Sequence, residues 1–148
     1  MKFHLPYKLL LLSILLSFLF GYMYRKPISV SSPLNIYASA IIVVIGIVLG
    51  FWTKRTILSR KTTLVPSGMP SMLITSGPFT FSRNPMHLSY FMIVSGIALY
   101  FQTIFSLIIS LAYLFYINFK IIPLEEQNLF SKFPQEYQKY YQKVRRWI

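Results

Sequence analysis

Four apolar runs leave this chain few folds to choose from. They cover residues 8–24, 36–52, 85–101 and 104–122 and take up about half of its 148 residues. Each is close to the length at which an apolar helix crosses a bilayer, the third being near the lower limit even when counted from Pro85. Composition agrees: 55% of residues are hydrophobic, 18% aromatic and only 12% charged, against about 25% charged in soluble domains. A water-soluble core could not absorb that much apolar sequence. The expectation is a single all-α integral membrane domain with four transmembrane helices.

The joints between the runs set their arrangement. Lys2 and Lys8 precede the first run, a pattern shared with signal peptides, but no small-residue cleavage site follows and Tyr22 and Tyr24 read as an interfacial belt. A retained first span is therefore expected. The second run carries Gly46 and Gly50 four apart, a spacing that permits close helix approach. Only Gln102 and Thr103 separate the third and fourth runs, so these two must form a tight antiparallel hairpin. Pro123 is expected to kink or end the fourth helix. Beyond Pro134, Tyr137, Tyr140, Tyr141 and Val144 recur at helical spacing, with Gln135, Gln138, Lys139 and Gln142 on other faces. That segment reads as an amphipathic helix lying on the membrane interface.

With four spans, the N-terminus, the 53–84 loop and the 123–148 segment share one side. Counting Lys8 and Lys120 at the adjoining ends of the first and fourth runs, thirteen of the fifteen Lys and Arg residues fall on that side, against Arg25 and Lys26 on the other. Both termini are therefore expected in the cytoplasm. The net charge of +12 is explained by anionic lipid headgroups beside the spans rather than by nucleic acid. The long loop is rich in apolar residues (Leu64, Val65, Met69, Met72, Leu73, Ile74), which argues for packing on the membrane face.

Cysteine and aspartate are absent, histidine is limited to His4 and His87, and the acids are Glu125, Glu126 and Glu136. Disulfides, thiolate metal sites, cysteine nucleophiles and a histidine-built metal centre are excluded. What polar chemistry remains converges on one rim. Residues 75–88 hold the Gly77-Pro78 turn, the aromatic pair Phe79 and Phe81, which reads as buried, Arg83, then Asn84-Pro85 ahead of an apolar run. Asn before Pro at a first helical position is how a helix starts. Arg83 is thus expected beside free helix-N-terminal amides, a combination that favours a carboxylate or phosphate. The hairpin returns the chain to the same rim, which brings Glu125-Glu126 to that face and lets Glu125 neighbour His87.

These residues carry a resemblance. Lys61-Thr62-Thr63-Leu64-Val65-Pro66, then Leu73 to Phe79, then Ser82-Arg83-Asn84-Pro85-Met86 resemble the isoprenylcysteine carboxyl methyltransferase and phospholipid methyltransferase superfamily. Its members carry a G-P-[YF]-x-[YF]-x-R-[HN]-P-x-Y pattern before a helical hairpin. After the hairpin come E-E-x-x-L, a Phe, spaced tyrosines and a basic end. Here that second part is Glu125-Glu126-Gln127-Asn128-Leu129, Phe133, Tyr137, Tyr140-Tyr141 and Val144-Arg145-Arg146-Trp147. The match covers about residues 60–148. Two departures stand out: His87 occupies the usual Tyr position and Ser89 the usual Gly.

The resemblance implies a methyltransferase that uses S-adenosylmethionine on a lipophilic acceptor in the membrane, a prenylcysteine carboxylate or a lipid amine. It implies a cofactor site built from Gly77, Pro78, Arg83, Asn84, Pro85, His87, Leu88, Glu125, Glu126 and Tyr140. In that reading Arg83 holds the cofactor carboxylate, Glu125 or Glu126 meets the ribose hydroxyls or the amino group, and His87 and Tyr140 flank the cofactor. Arg146 orients the acceptor, and Arg83 and Arg146 are the catalytic pair. No metal is needed, since methyl transfer from a sulfonium relies on positioning and exclusion of water. Two other functions fit the same features: an NADPH-dependent membrane lipid reductase with a related C-terminal arrangement, and a non-catalytic scaffold that grips anionic lipid.

Overall fold

The computed structural model describes residues 5–24, 33–59 and 72–148. Among these, all regular structure is helical: α1 (Leu5–Met23), α2 (Pro33–Ser59), α3 (Pro85–Phe101), α4 (Ile104–Tyr116), α5 (Ile122–Lys132) and α6 (Pro134–Lys143). A short 3-10 turn, Gly77–Thr80, precedes α3, and a wide π-type turn, Ile117–Ile121, joins α4 to α5. The expected resemblance run at 61–66 and the charges Lys2, Arg25, Lys26, Arg60 and Lys61 lie outside the described residues.

Three helical stretches are long and apolar enough to cross a membrane: Pro6–Met23, Leu34–Ser59 and Ile104–Lys132. The outward faces of α1 and α2 agree, presenting Leu15, Phe18, Leu34, Ile41, Val48 and Phe51 uncovered. So much contiguous exposed apolar surface is rare on a soluble monomer. The 17-residue helix α3 is shorter and lies inside the bundle, in contact with α1, α2 and α4.

The expected hairpin is formed, and its turn follows from two local choices. Gln102 ends α3 in the left-handed region (φ 51°), with its amide returned to the Ala98 carbonyl. Thr103 then caps α4, its hydroxyl accepting the Ser106 amide at 3.2 Å. Close to this turn, Phe18 packs on Phe101 and Phe20 on Phe105, so the end of α1 sits beside the end of α3. At the opposite end Leu10, Val94, Tyr113, Ile117, Ile121 and Ile122 form the buried core.

Gly46 and Gly50 do mark a close approach. A side chain on Gly46 would come within 3.0 Å of the Ser89 carbonyl, and one on Gly50 within 3.0 Å of Ser89 Oγ. Ser89 itself is fully buried and returns its hydroxyl to the Met86 carbonyl. The two glycines on α2 leave room for a serine on α3.

Four expectations are corrected or narrowed. The second helix does not stop at residue 52: it runs from Pro33 to Ser59, so 53–59 is helix and not loop. Hydropathy falls there, but no Gly or Pro interrupts the backbone, and Thr53 is buried with its hydroxyl on the Leu49 carbonyl. Of the two outcomes left open at Pro123, a kink or an end, the helix does not end there but continues to Lys132. A proline lacks the N–H and clashes with the carbonyl four residues earlier, and the wide turn just before it absorbs that mismatch. Phe81 is not part of a buried aromatic pair: it is 39% exposed, against the Trp52 ring. The C-terminal helix α6 is amphipathic as expected, but Tyr137 and Tyr140 turn into the protein, each 7% exposed or less.

Candidate functional site

The polar residues of the chain gather at one end of the bundle, because α2 and α3 run antiparallel and α4 and α5 return beside them. Gly77 takes a left-handed φ of 63°, and a side chain there would come within 2.8 Å of Thr56 Oγ1. Glycine is required at that turn. The buried Pro78 supplies the carbonyl that accepts the Phe81 and Ser82 amides. The chain then enters α3 through Asn84 and Pro85, both buried.

Asn84 stands at the expected helix start without capping it. Its backbone amide donates to Ser82 Oγ at 3.2 Å, and its side-chain amide donates to the Arg146 carbonyl at 3.2 Å. The same carbonyl accepts from Ser82 Oγ at 3.4 Å, and the Arg83 amide donates to the Arg145 carbonyl at 3.0 Å. Residues 144–146 thus form a strap laid along 82–84. Tyr140 adds to it by donating its hydroxyl to the Phe79 carbonyl at 2.7 Å.

Arg83 is the centre of the arrangement. Its Nη1 donates to the Tyr141 and Val144 carbonyls at 3.0 and 2.9 Å, and its Nη2 to Glu126 Oε1 at 2.9 Å. The Tyr141 ring lies 3.8 Å from the guanidinium carbon, a cation–π contact. Glu126 also takes Arg146, with Nη2 on Oε2 at 2.6 Å and Nε on Oε1 at 3.3 Å. The Arg83 and Glu126 side chains are 7% and 10% exposed, that of Arg146 31%. One carboxylate therefore bridges two guanidiniums in a nearly dry place, where removing any partner strands a charge.

A second pair lies one helical turn on. His87 is 6% exposed and its Nε2 is 2.9 Å from Glu125 Oε2. Its ring meets Tyr90 edge-on. Leu88 is buried next to it, its amide on the Asn84 carbonyl. Arg83 Nε and His87 Nδ1 are both buried without a hydrogen-bond partner. Leaving such an atom unmet costs about 1–3 kcal/mol. Such orphans in a folded protein call for a reason.

The structure therefore brings Arg83, Asn84, Glu126, Tyr140 and Arg146 into one cluster, with His87, Leu88 and Glu125 beside it. Gly77 and Pro78 shape the turn against α2. Arg83 and Glu126 meet by direct contact and not across a hollow. The cavity just ahead of Gly77, lined by Met72, Leu73, Ile74, Thr75 and Ser76, measures about 90 Å³, well under the roughly 300–1,000 Å³ of sites for drug-sized ligands. The cluster also uses Ser82 and Tyr141, which the sequence shows only as motif members without a role, and Asn118, which no motif includes. Asn118 accepts the Trp147 indole N–H at 3.1 Å and lies 3.5 Å from Arg146 Nη1. A lone amide inside an otherwise apolar run was the available signal.

Burial sets the acidity of the tyrosines that back the cluster. It pushes the Tyr137 hydroxyl up to about 12, helped by the Glu126 charge and opposed by Arg83. Tyr140 is raised further, by burial first and by Tyr137 second. Both stay protonated donors at physiological pH.

No curated protein and no solved structure matches the chain. A family model does: the phospholipid methyltransferase model matches residues 34–136, from α2 through the first turn of α6. That region contains Arg83, His87, Glu125 and Glu126, and stops short of the 144–146 strap. By that match over more than two thirds of its length, the chain belongs to the phospholipid methyltransferase family, a family of methyltransferases with lipid substrates.

Proposed function

We propose that the protein is an S-adenosylmethionine-dependent integral membrane methyltransferase whose acceptor is a lipophilic molecule dissolved in the bilayer, of the prenylcysteine carboxylate or lipid amine type. Four spans place both termini in the cytoplasm, with the cofactor rim at that face. The observation that carries the reading is Arg83: a nearly dry guanidinium beside the N-terminus of α3, with Nε unpartnered. A buried cation with a spare donor beside a helix N-terminus is suited to a small carboxylate, and the methionyl end of the cofactor has one.

The other residues support the same site. Glu126, held by Arg83 and Arg146, presents a fixed carboxylate for hydroxyl or amino donors. Asn84, Pro85, Gly77 and Pro78 fix the backbone around it, while Leu88 and Tyr140 wall it off from water. Because Arg83 and Glu126 are in contact, entry of a nucleoside-sized molecule requires the 144–146 strap to give way. Arg146, the most exposed of the three charges, then faces the acceptor. When bound, the cofactor supplies an electrophilic methyl on sulfur, and the protein's part is to align the acceptor and keep the site dry.

The test is transfer of labelled methyl from S-adenosylmethionine to lipid by the purified protein in vesicles of extracted lipid. Label in the lipid fraction is expected. Absence of label together with NADPH oxidation would favour a reductase. Binding to neither cofactor, with vesicle association that collapses in salt, would make the protein a lipid-gripping scaffold.

A further inference from the structure

The far end of the C-terminal strap is held by a device that the sequence around Pro123 builds. Ile117–Ile121 forms the π-type turn, and the Ile122 amide donates to the Ile117 carbonyl, five residues back. In that register the Asn118 carbonyl would meet the amide of residue 123, a proline that has none. Its donor has to come from outside the helix. Arg146 Nη1 lies 3.5 Å from that carbonyl and 3.5 Å from Asn118 Oδ1. The same Oδ1 accepts the Trp147 indole N–H at 3.1 Å. Asn118 thus offers two oxygens to two consecutive strap residues, on a kind of turn that is frequent at functional places.

The bonds of the strap divide into two sets. Its main-chain carbonyls serve 82–84: that of Val144 accepts from Arg83 Nη1, that of Arg145 from the Arg83 amide, and that of Arg146 from Asn84 and Ser82. Its side chains reach α5 and the π-type turn, Arg146 to Glu126 and Asn118, Trp147 to Asn118. The Trp147 ring is half-buried and packs against the core cluster. At the near end the chain leaves α6 through Val144 in an extended conformation (φ −120°, ψ 132°), the kind of element-terminal position where hinges sit. Glu126 also holds Arg83 and so belongs to the site. The side-chain bonds of Asn118, among the described residues, all go to the strap. Hydrogen bonds of this kind are individually weak, so the strap can release and reseat without unfolding a helix.

We infer that residues 144–147 are a lid on Arg83, hinged where α6 ends and latched at Asn118, and that Asn118 is a positioning residue that sets how fast the rim opens. The inference rests on the methyltransferase reading for what passes the lid, S-adenosylmethionine, and not for the lid itself. Closed, the strap occupies Arg83 Nη1 with its own Val144 carbonyl. Opened, it frees that nitrogen while Glu126 keeps its bond to Nη2. A latch that is made both with and without ligand slows entry and exit by the same factor and leaves affinity alone. A residue that only touched the ligand would alter exit and not entry, and one that only braced the fold would alter neither.

The chain has two tryptophans, so Trp52→Phe leaves Trp147 as the sole indole reporter in nanodiscs. With no ligand present, Asn118→Leu in that background should raise acrylamide quenching of Trp147. Asn118→Asp, which offers Arg146 a charged acceptor, should lower it. Stopped-flow mixing with S-adenosylmethionine then reads the gate. The Leu variant should speed association and dissociation together by about 5-fold, the effect of one hydrogen bond, and the Asp variant should slow both. Dissociation accelerated alone in the Leu variant, or equal Trp147 quenching in all three proteins, would overturn the inference. Trp147→Phe removes the indole donor but keeps a ring on the core, and it replaces Asn118→Leu if that variant fails to fold. Its two rates, followed with labelled S-adenosylmethionine, should rise in the same way, and unchanged rates would be equally fatal. If the Trp52→Phe protein and the wild type both fail to bind S-adenosylmethionine, the methyltransferase reading falls, and the quenching series alone decides the lid.

Discussion

The side-chain amide of Asn84 donates to the main-chain carbonyl of Arg146, so the residue that opens α3 is tied to the C-terminal strap and not to its own helix. This joins two motifs that lie 62 positions apart and places Arg83 within reach of Glu126. The rim is held by a few buried polar bonds across the end of an otherwise apolar bundle.

Asn84→Ala should loosen the strap without melting the start of α3. One net hydrogen bond is lost, about 1 kcal/mol, and the Arg146 carbonyl keeps Ser82 Oγ. Hydrogen–deuterium exchange should speed up at residues 144–147 and stay unchanged along α3. Faster exchange confined to residues 85–89 would mean that the side chain serves its own helix instead.

Glu126→Ala should destabilise the fold by about 3–5 kcal/mol, because it strands two guanidiniums, one of them almost wholly buried. The exposed Glu136→Ala serves as the control and should stay within about 0.5 kcal/mol. Unfolding curves in a mixed-detergent titration compare the two. Equal effects would contradict the buried triad.

Gly77→Ala forces a side chain into a left-handed turn and against Thr56, at about 1–3 kcal/mol. Adding Thr56→Ala removes the clash but not the backbone strain, so thermal stability should recover only in part. Full recovery would mean that the turn accepts an L side chain freely.

Alkaline pH should unfold the rim in a defined window. The folded-state values of Tyr137 and Tyr140 lie above the ordinary value of 10, Tyr137 at about 12 and Tyr140 higher. Their contribution is thus fully present below pH 10 and is lost as pH rises from 10 through 12. Thermal unfolding measured across that range should fall, and Tyr137→Phe should flatten the decline. A decline of the same steepness in the variant would place its cause elsewhere.

Much of this arrangement is legible in the sequence where the backbone itself dictates the outcome. Asn84-Pro85 starts a helix, Gln102-Thr103 can only turn, and the hairpin they bound carries Glu125 and Glu126 back to Arg83. The long-range bonds are not legible. Nothing in the order of residues says that the Asn84 side chain seeks a carbonyl at Arg146, or that Arg83 uses both terminal nitrogens within the protein. The end of α2 escaped because hydropathy stops at the bilayer while helical hydrogen bonding does not. Of the two outcomes open at Pro123, a kink or an end, the end does not occur for a related reason: a π-type turn can absorb a proline inside a helix.

The most direct measurement is calorimetric titration of the detergent-solubilised chain with S-adenosylmethionine, alongside NADPH and alongside Arg83→Lys. A saturable heat is expected for S-adenosylmethionine, none for NADPH, and a weakened one for the lysine variant, which lacks a guanidinium Nε and cannot reproduce the forked contacts. No saturable binding to the wild-type chain, or binding that Arg83→Lys leaves unchanged, would contradict a methyl-donor site at this rim.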